Sequence, residues 1–240
     1  MHPELTVRNA ASHDIEQLIA IEAAAWHGSG APLLAREQFA DWLEERSPYF
    51  LVAEKEGAAC AYYFGRLIAF APERIEAFLD PALVTGNGWS AHRANPFGNA
   101  VYGISVASVA RGAGRALMDA VHERLRRDRV RYFLGFTRMT GLDAYLQGLE
   151  RAGAGRLPAP EASVALWYAH ENARLLGLRA WREGAARPAL DLAPLRVPDP
   201  VIAFHVRGST AGLMAVLPGY MPDRASRNYG ALFVSERPHR

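Results

Sequence analysis

The chain has 240 residues, of which 50% are hydrophobic and 22% charged, enough to build a sizeable core. Its 27 basic and 25 acidic residues leave a formal net charge of +2, too small to argue for a nucleic-acid partner. The one cysteine, Cys60, excludes an internal disulfide and fits a reducing, cytoplasmic setting. The opening Met1-His2-Pro3-Glu4 lacks a basic region followed by an apolar stretch, which argues against a secretory signal. No apolar run approaches the ~18–20 residues that span a bilayer, so no membrane partner is expected.

In chain order, Leu5–Arg8 alternates apolar and polar residues and predicts a short first strand. Ser12 and Asp14 precede Ile15, Leu18, Ile19, Ala25 and Trp26 at helical spacing, an amphipathic helix that Gly28-Ser29-Gly30 should end. Leu34, Phe39, Trp42 and Leu43 suggest a second helix, stopped before Pro48. Phe50–Glu54 and Ala58–Ile68 flank a turn at Gly57 and are rich in aromatic and β-favouring residues, so they predict a hairpin. Residues 70–98 carry scattered Pro and Gly and read as an irregular insertion with a short helix over Glu73–Leu79.

Ala100–Val106 predicts a strand, and Leu117, Ala120, Val121 and Leu125 a helix behind a Gly-rich turn. Arg131–Thr137 predicts the next strand, and this order implies a mixed sheet covered by helices, an α/β architecture. Further on, Leu142–Leu149 reads as a helix, Gly153–Pro160 as a loop and Ser163–Trp181 as a long helix. Asp199-Pro200 supplies an N-cap and a first-turn proline for another helix, with Gly208 placed as its C-terminal glycine. Leu213–Leu217 and Gly230–Ser235 read as the last two strands.

The chemistry begins at Val106–Leu117. A strand feeds a Gly-rich turn that opens a helix, so unpaired amides and the positive end of the helix dipole converge on one spot. A pyrophosphate fits there, and glycine lets phosphate approach the backbone. Arg111 and Arg115 add charge nearby. The turn lacks the Lys-Ser/Thr ending of a nucleoside-triphosphate loop and the third glycine of a dinucleotide fingerprint. A plain tight turn before a helix is the alternative.

Arg111-Gly112-Ala113-Gly114-Arg115-Ala116 resembles the signature of the GNAT superfamily: Arg or Gln, two residues, Gly, one residue, then Gly or Ala. A rival alignment sets Gly112-Ala113-Gly114 on the final Gly-x-Gly and puts Val109 at the Arg/Gln position; both place the phosphates on the same turn. The resemblance extends over most of the chain. It implies one GNAT-like domain over residues 1–240 with insertions at about 70–98 and 139–198, and a largely antiparallel mixed sheet splayed between its fourth and fifth strands. It also implies an acyl-CoA substrate bound in that splay, with the thioester oxygen on the fourth-strand amides at Ile104, Ser105 and Val106 and the phosphates on Arg111–Ala116.

Many members of that family carry a Tyr near the end of the helix after the fifth strand, which protonates the departing CoA thiolate. Ala203-Phe204-His205-Val206-Arg207-Gly208 puts His205 at that place. The swap replaces a phenol of pKa ~10 by an imidazole near ~6.5. Gly135-Phe136-Thr137-Arg138 puts a hydroxyl at the end of the fifth strand. Together with Tyr102–Val106, Asp199-Pro200, Leu217–Tyr220 and Asn228-Tyr229-Gly230, these stretches are similar to GNAT-like domains of polyketide-synthase loading modules. That likeness implies decarboxylation of a malonyl- or methylmalonyl-type thioester to supply a starter acyl group, with Thr137 and His205 as the working residues and an acyl carrier protein as a possible partner for S-acyl transfer. The competing readings are a conventional acetyl-CoA-dependent N-acetyltransferase acting on a small amine, and a silent CoA-binding module.

Other candidates are weaker. Cys60 lies among Ala and Tyr on a core strand and reads as a buried, inert thiol. Arg124, Arg126, Arg127, Arg129 and Arg131 complement a helix C-terminus, or face an acidic carrier protein or the CoA 3′-phosphate. His92 and His170 lack metal-ligand spacing, so no metal is expected. Trp167, Tyr168 and Trp181 read as packing on the long helix.

Overall fold

A computed structural model of the chain describes residues 5–80, 84, 95–181, 184–206 and 209–236. The chain divides into two compact units, one reaching to Leu134 and the other running from Gly135 to Glu236. In the first, β1 (Leu5–Asn9), β2 (Phe50–Lys55), β3 (Ala58–Ile68) and β4 (Ala100–Ser108) pair antiparallel in that order. The hairpin between β2 and β3 turns through Glu56 (φ 55°) and Gly57 (φ 80°), two left-handed residues whose twist matches that of the strands.

Helices α1 (Ile15–Ala25) and α2 (Arg36–Glu45) place Leu18, Ile21, Phe39 and Trp42 against Phe50, Val52, Tyr62, Phe64 and Ala107. Trp42 stacks on Phe64 with ring centroids 4.1 Å apart. Leu18, Phe39 and Trp42 of the predicted spacing are thus buried in the packing stripe, whereas Ala25 is exposed and Ile21, outside the predicted set, is buried. The residue that ends α2 is Arg46, in the left-handed region at φ 53°, before Pro48 is reached. The longest helix of this unit, α3 (Ala113–Arg127), buries Leu117, Met118, Val121 and Leu125 and packs on β1, β2, β3 and β4. The segment expected to hold a short helix forms a 3-10 turn over Pro72–Phe78, and residues 81–83 and 85–94 of that insertion lie outside the described residues.

Strand β5 (Tyr132–Arg138) begins in the first unit, parallel to β4, and ends in the second. The second unit continues with α4 (Leu142–Ala152), α5 (Glu161–Leu175), β6 (Arg179–Ala180), α6 (Pro200–Val206), β7 (Ala211–Leu217) and β8 (Gly230–Glu236). Its strand order is β5-β8-β7-β6, with β7 and β8 antiparallel and β6 and β7 parallel. Met139, Leu142, Leu146, Val164, Tyr168, Ile202, Val206 and Phe233 form its core.

The long helix expected over Ser163–Trp181 is shorter than its apolar spacing suggests. It stops at Leu175 because Gly177 turns left-handed at φ 65° and the Leu178 amide folds back to the Ala173 carbonyl at 2.9 Å. The residues beyond it pair with β7 as β6, at Arg179↔Gly212 and Ala180↔Leu213. Trp181 thus follows a strand, while Trp167 and Tyr168 are buried on the helix as expected. Gly208 lies outside the described residues.

The N-cap expected at Asp199 is present and reaches well beyond its own helix. Its Oδ1 accepts from the amides of Val201 (2.9 Å) and Ile202 (3.2 Å) at the start of α6 and from Thr140 Oγ1 (3.3 Å). Its Oδ2 accepts from the Gly141 amide (2.7 Å), at the start of α4, and from the Tyr168 hydroxyl (3.1 Å) on α5. One buried carboxylate thus fastens three helices. Asp199→Ala is expected to lower the stability of the folded chain by about 3 kcal/mol, because buried donors lose their acceptor, and Asp199→Asn by less; urea unfolding of the three proteins checks this.

Candidate functional site

The Gly-rich turn has the form its sequence requires. Gly112 is left-handed at φ 84° and stands immediately before α3. The Ala113 amide turns back to the Ala110 carbonyl (3.2 Å) and the Ala116 amide to the Gly112 carbonyl (3.0 Å), while the amides of Arg111, Gly112 and Gly114 donate to no protein acceptor among the described residues. Successive free amides beside a left-handed residue form an anion-binding concavity, and the helix dipole adds to it. Val109 donates to the Cys60 carbonyl at 3.0 Å, and Ser108 Oγ to the Ala110 carbonyl at 3.0 Å, so the turn is tied to the sheet at its entry.

The charges beside the turn are not equivalent. Arg111 is exposed, whereas Arg115 pairs with Asp119 one helical turn on, at 3.0 Å. Gly112→Val forces a β-branched residue to φ > 0 and so distorts the turn. The expected outcome is about a tenfold weaker Kd for free CoA by calorimetric titration, with a Tm lowered by only a few degrees.

Strand β4 leads into this turn. Its parallel register with β5 runs through Ala100↔Tyr132, Val101↔Phe133 and Tyr102↔Leu134, whereas β4 itself continues to Ser108 with β3 along one edge. Ile104, Ser105 and Val106 lie in this continuation and are half-buried. Among the described residues the β4–β5 register ends at Tyr102. Ser105 Oγ lies 3.0 Å from the Tyr62 hydroxyl on β3, which donates a very short hydrogen bond to the Glu22 carboxylate on α1. Sequence reasoning passes over Glu22 and Tyr62, because an acid on an amphipathic helix and a tyrosine on a strand carry no local sign that they meet.

In the second unit, Thr137 at the end of β5 is buried, 3% exposed. Its Oγ1 is 3.4 Å from the Arg138 carbonyl oxygen, long for a hydroxyl donor, so the group keeps hydrogen-bonding capacity for a ligand. The neighbouring side chains are fixed. Phe136 stacks on Tyr220 with centroids 4.9 Å apart. Arg138 grips Asp223 through Nε (2.8 Å) and a terminal nitrogen (2.7 Å), and Ser226 Oγ adds a bond at 2.6 Å. Burial alone would push the Asp223 carboxyl up, and the Arg138 and Ser226 hydrogen bonds outweigh it and hold the group below the usual carboxylate range. Asp223, like Glu22 and Tyr62, is a residue the sequence does not flag.

His205 lies on α6, in edge contact with Phe204 at 5.0 Å. It is half-buried as a residue, and desolvation of the ring lowers its pKa from the usual 6.5 to about 4. The imidazole is therefore neutral at pH 7, one nitrogen donating and the other accepting. Because its folded pKa lies below its unfolded one, the unfolded chain binds the extra proton between pH 6.5 and about 4. The His205 contribution to stability is present above pH 6.5 and is lost as pH falls through this window. His205→Asn is expected to flatten that part of the stability–pH curve, measured by urea unfolding at half-unit intervals.

The remaining candidates stay outside these features. Cys60 is buried, donates to the Ala53 carbonyl at 3.4 Å, and has its pKa raised by burial, as an inert thiol should. His170 contacts the Ala185 carbonyl oxygen at 2.9 Å, and His92 lies outside the described residues. Among the described residues no His, Cys, Asp and Glu side chains gather as a metal-binding group, and no helix is long and apolar enough to cross a membrane. In the basic run, Arg124 donates to the Pro48 carbonyl and Arg127 pairs with Asp128 at 2.9 Å, while Arg126 and Arg129 are exposed.

Comparison with solved structures decides the fold. The GphF GNAT-like decarboxylase in complex with isobutyryl-CoA superposes over 96% of this chain and 98% of its own, with TM-score 0.64 and 19% identity. The chain has the GNAT fold. The loading GNATL domain of CurA from Lyngbya majuscula is equally similar, with TM-score 0.64, 18% identity and coverage of 97% and 98%. A malonyl-CoA decarboxylase from Agrobacterium vitis matches with TM-score 0.58 and 17% identity over 97% of this chain and 60% of its own. The same GNAT fold carries a putative phosphinothricin N-acetyltransferase, with TM-score 0.51, 12% identity and coverage of 98% and 100%. No family model matches the sequence, and no curated protein is similar to it in sequence. The GNAT fold agrees with the expected mixed sheet, the parallel β4–β5 pair and the flanking helices.

Proposed function

We propose that the chain is an acyl-CoA enzyme that decarboxylates a malonyl- or methylmalonyl-type CoA thioester, with Thr137 and His205 acting on the substrate carboxylate. The observation that carries this reading is the neutral His205, held uncharged by desolvation at the place where the family's acetyltransferases keep a phenol. A cation at that place would pair with the carboxylate and stabilise the ground state that the reaction has to leave. A neutral N–H and the Thr137 hydroxyl can instead hold the carboxylate by hydrogen bonds and turn it out of the thioester plane, where the breaking C–C bond overlaps the carbonyl π system.

In this reading the Arg111–Ala116 turn takes the CoA pyrophosphate and the peptide N–H groups of Ile104, Ser105 and Val106 serve the thioester oxygen. Cleavage of the C–C bond releases CO2 and leaves its electron pair on the thioester as an enolate, whose oxygen the β4 amides stabilise. One proton, delivered to the α-carbon, completes the acyl-CoA. The neutral imidazole can relay that proton, its N–H passing to the α-carbon while its other nitrogen takes a proton from solvent. The likeness to the GphF and CurA structures supports this assignment over amine acetylation, as does the absence of a Tyr at the His205 place. The same likeness supports a carrier-protein thiol as acyl acceptor, with exposed Arg126 and Arg129 suited to an acidic partner.

The test is to incubate the purified protein with malonyl-CoA, methylmalonyl-CoA or acetyl-CoA, with and without amines, and to follow product masses. CO2 loss is expected from the first two, reduced about a hundredfold or more in His205→Ala and about tenfold in Thr137→Ala. Amine-dependent release of free CoA from acetyl-CoA, with no CO2 loss, would overturn the proposal in favour of N-acetylation.

A further inference from the structure

The Glu22–Tyr62–Ser105 chain has a direction, and the direction selects a substrate group. Glu22 and Tyr62 are buried, 3% and 0% exposed, while Ser105 is half-buried on β4. Glu22 Oε1 accepts from the Leu34 amide at 3.2 Å and Oε2 accepts from the Tyr62 hydroxyl. Burial pushes the Glu22 carboxyl above its usual range, opposed by the hydrogen bonds from Tyr62 and the Leu34 amide. Tyr62 has one proton and gives it to Glu22, so the 3.0 Å contact with Ser105 has to be donated by the serine. Ser105 then has no proton left to donate elsewhere. What it offers outward is a pair of acceptor lone pairs.

An acceptor-only hydroxyl is of no use to an enolate or a thioester oxygen, which need donors. It suits a group that brings a hydrogen. An amine arrives as ammonium near pKa ~10.4 and needs a true base, and the one carboxylate of this chain is sealed behind Tyr62. A thiol of pKa ~8.5 needs only a hydrogen-bond acceptor to orient its S–H before attack. Resting on the function proposed above, we propose that Ser105 is the subsite for an acyl-accepting thiol, and that Glu22 and Tyr62 are positioning residues that set its polarity. In the step served, the thiol sulfur bonds to the acyl carbon, the C–S bond to CoA breaks, and the proton of the incoming S–H ends on the CoA sulfur.

The polarity can be reversed by one substitution. In Glu22→Gln the Leu34 amide holds the carbonyl oxygen on its side, so the NH2 group faces Tyr62 and donates to it. Tyr62 must then donate to Ser105, and Ser105 becomes an outward donor. Pantetheine is the thiol probe, with acetyl-CoA as acyl source; CO2 release from malonyl-CoA and thermal unfolding are measured in parallel. Glu22→Gln is expected to lower kcat for acetyl transfer to pantetheine about tenfold, with KM for acetyl-CoA and CO2 release unchanged within about twofold. Ser105→Ala should lose the transfer rate, and Ser105→Thr, which keeps the hydroxyl, should restore it. Tyr62→Phe keeps the ring that meets Phe39 edge-on at 5.4 Å, so it tests the chain in a fold that is retained; it too should slow transfer and spare CO2 release. Unchanged transfer in Glu22→Gln and Tyr62→Phe overturns the inference, as does a wild-type protein that releases CO2 but transfers nothing to pantetheine. A wild-type protein that does neither overturns the functional reading itself.

Discussion

Asp199 is an acid enclosed by protein, and the second unit is organised around making that enclosure tolerable. A buried carboxylate that lacks donors is costly, and this one is surrounded by them: two amides of α6, the amide of Gly141, the hydroxyls of Thr140 and Tyr168. Its own amide donates to the Asn172 side chain on α5. These donors come from three stretches of chain, so satisfying the charge fixes where β5 exits into α4, where α5 lies against them, and where α6 begins. Thr137 sits a few residues before the first of these stretches and His205 on the last. Both candidate residues therefore lie on or beside stretches that this one carboxylate ties together.

The first unit shows the same physics with a different outcome. Glu22 is also buried, but its donors include Tyr62, whose oxygen is then open to Ser105 on β4. Where Asp199 gathers backbone and side-chain donors and anchors helices, Glu22 passes its polarity along side chains to β4. Buried polar groups must be satisfied, and how the satisfaction is routed separates a structural hub from a chemical one.

Charge economy runs through the candidate site as well. Arg115 is engaged by Asp119 and Arg138 by Asp223, and His205 is neutral at pH 7. At the Gly-rich turn the positive potential comes from free amides, the α3 dipole and the exposed Arg111.

What lay open in the sequence was local. Hydrophobic spacing over Leu18, Phe39 and Trp42 marked the packing stripes, Gly57 the hairpin, Gly112 the Gly-rich turn, and Asp199-Pro200 the start of α6, because each expresses a constraint between residues near one another in the chain. The end of α5 escaped this reading: Leu178 continues the apolar spacing, but the backbone turns at Gly177 and the following residues are claimed by pairing with β7. The partners of the site residues were likewise hidden, since Asp223 lies 85 residues from Arg138, Tyr168 31 from Asp199, and Ser105 43 from Tyr62. Which buried acid meets which donor is a property of the folded core. Sequence fixes the supply of charges and protons along the chain, and only tertiary packing, by removing water, decides which of them must find one another.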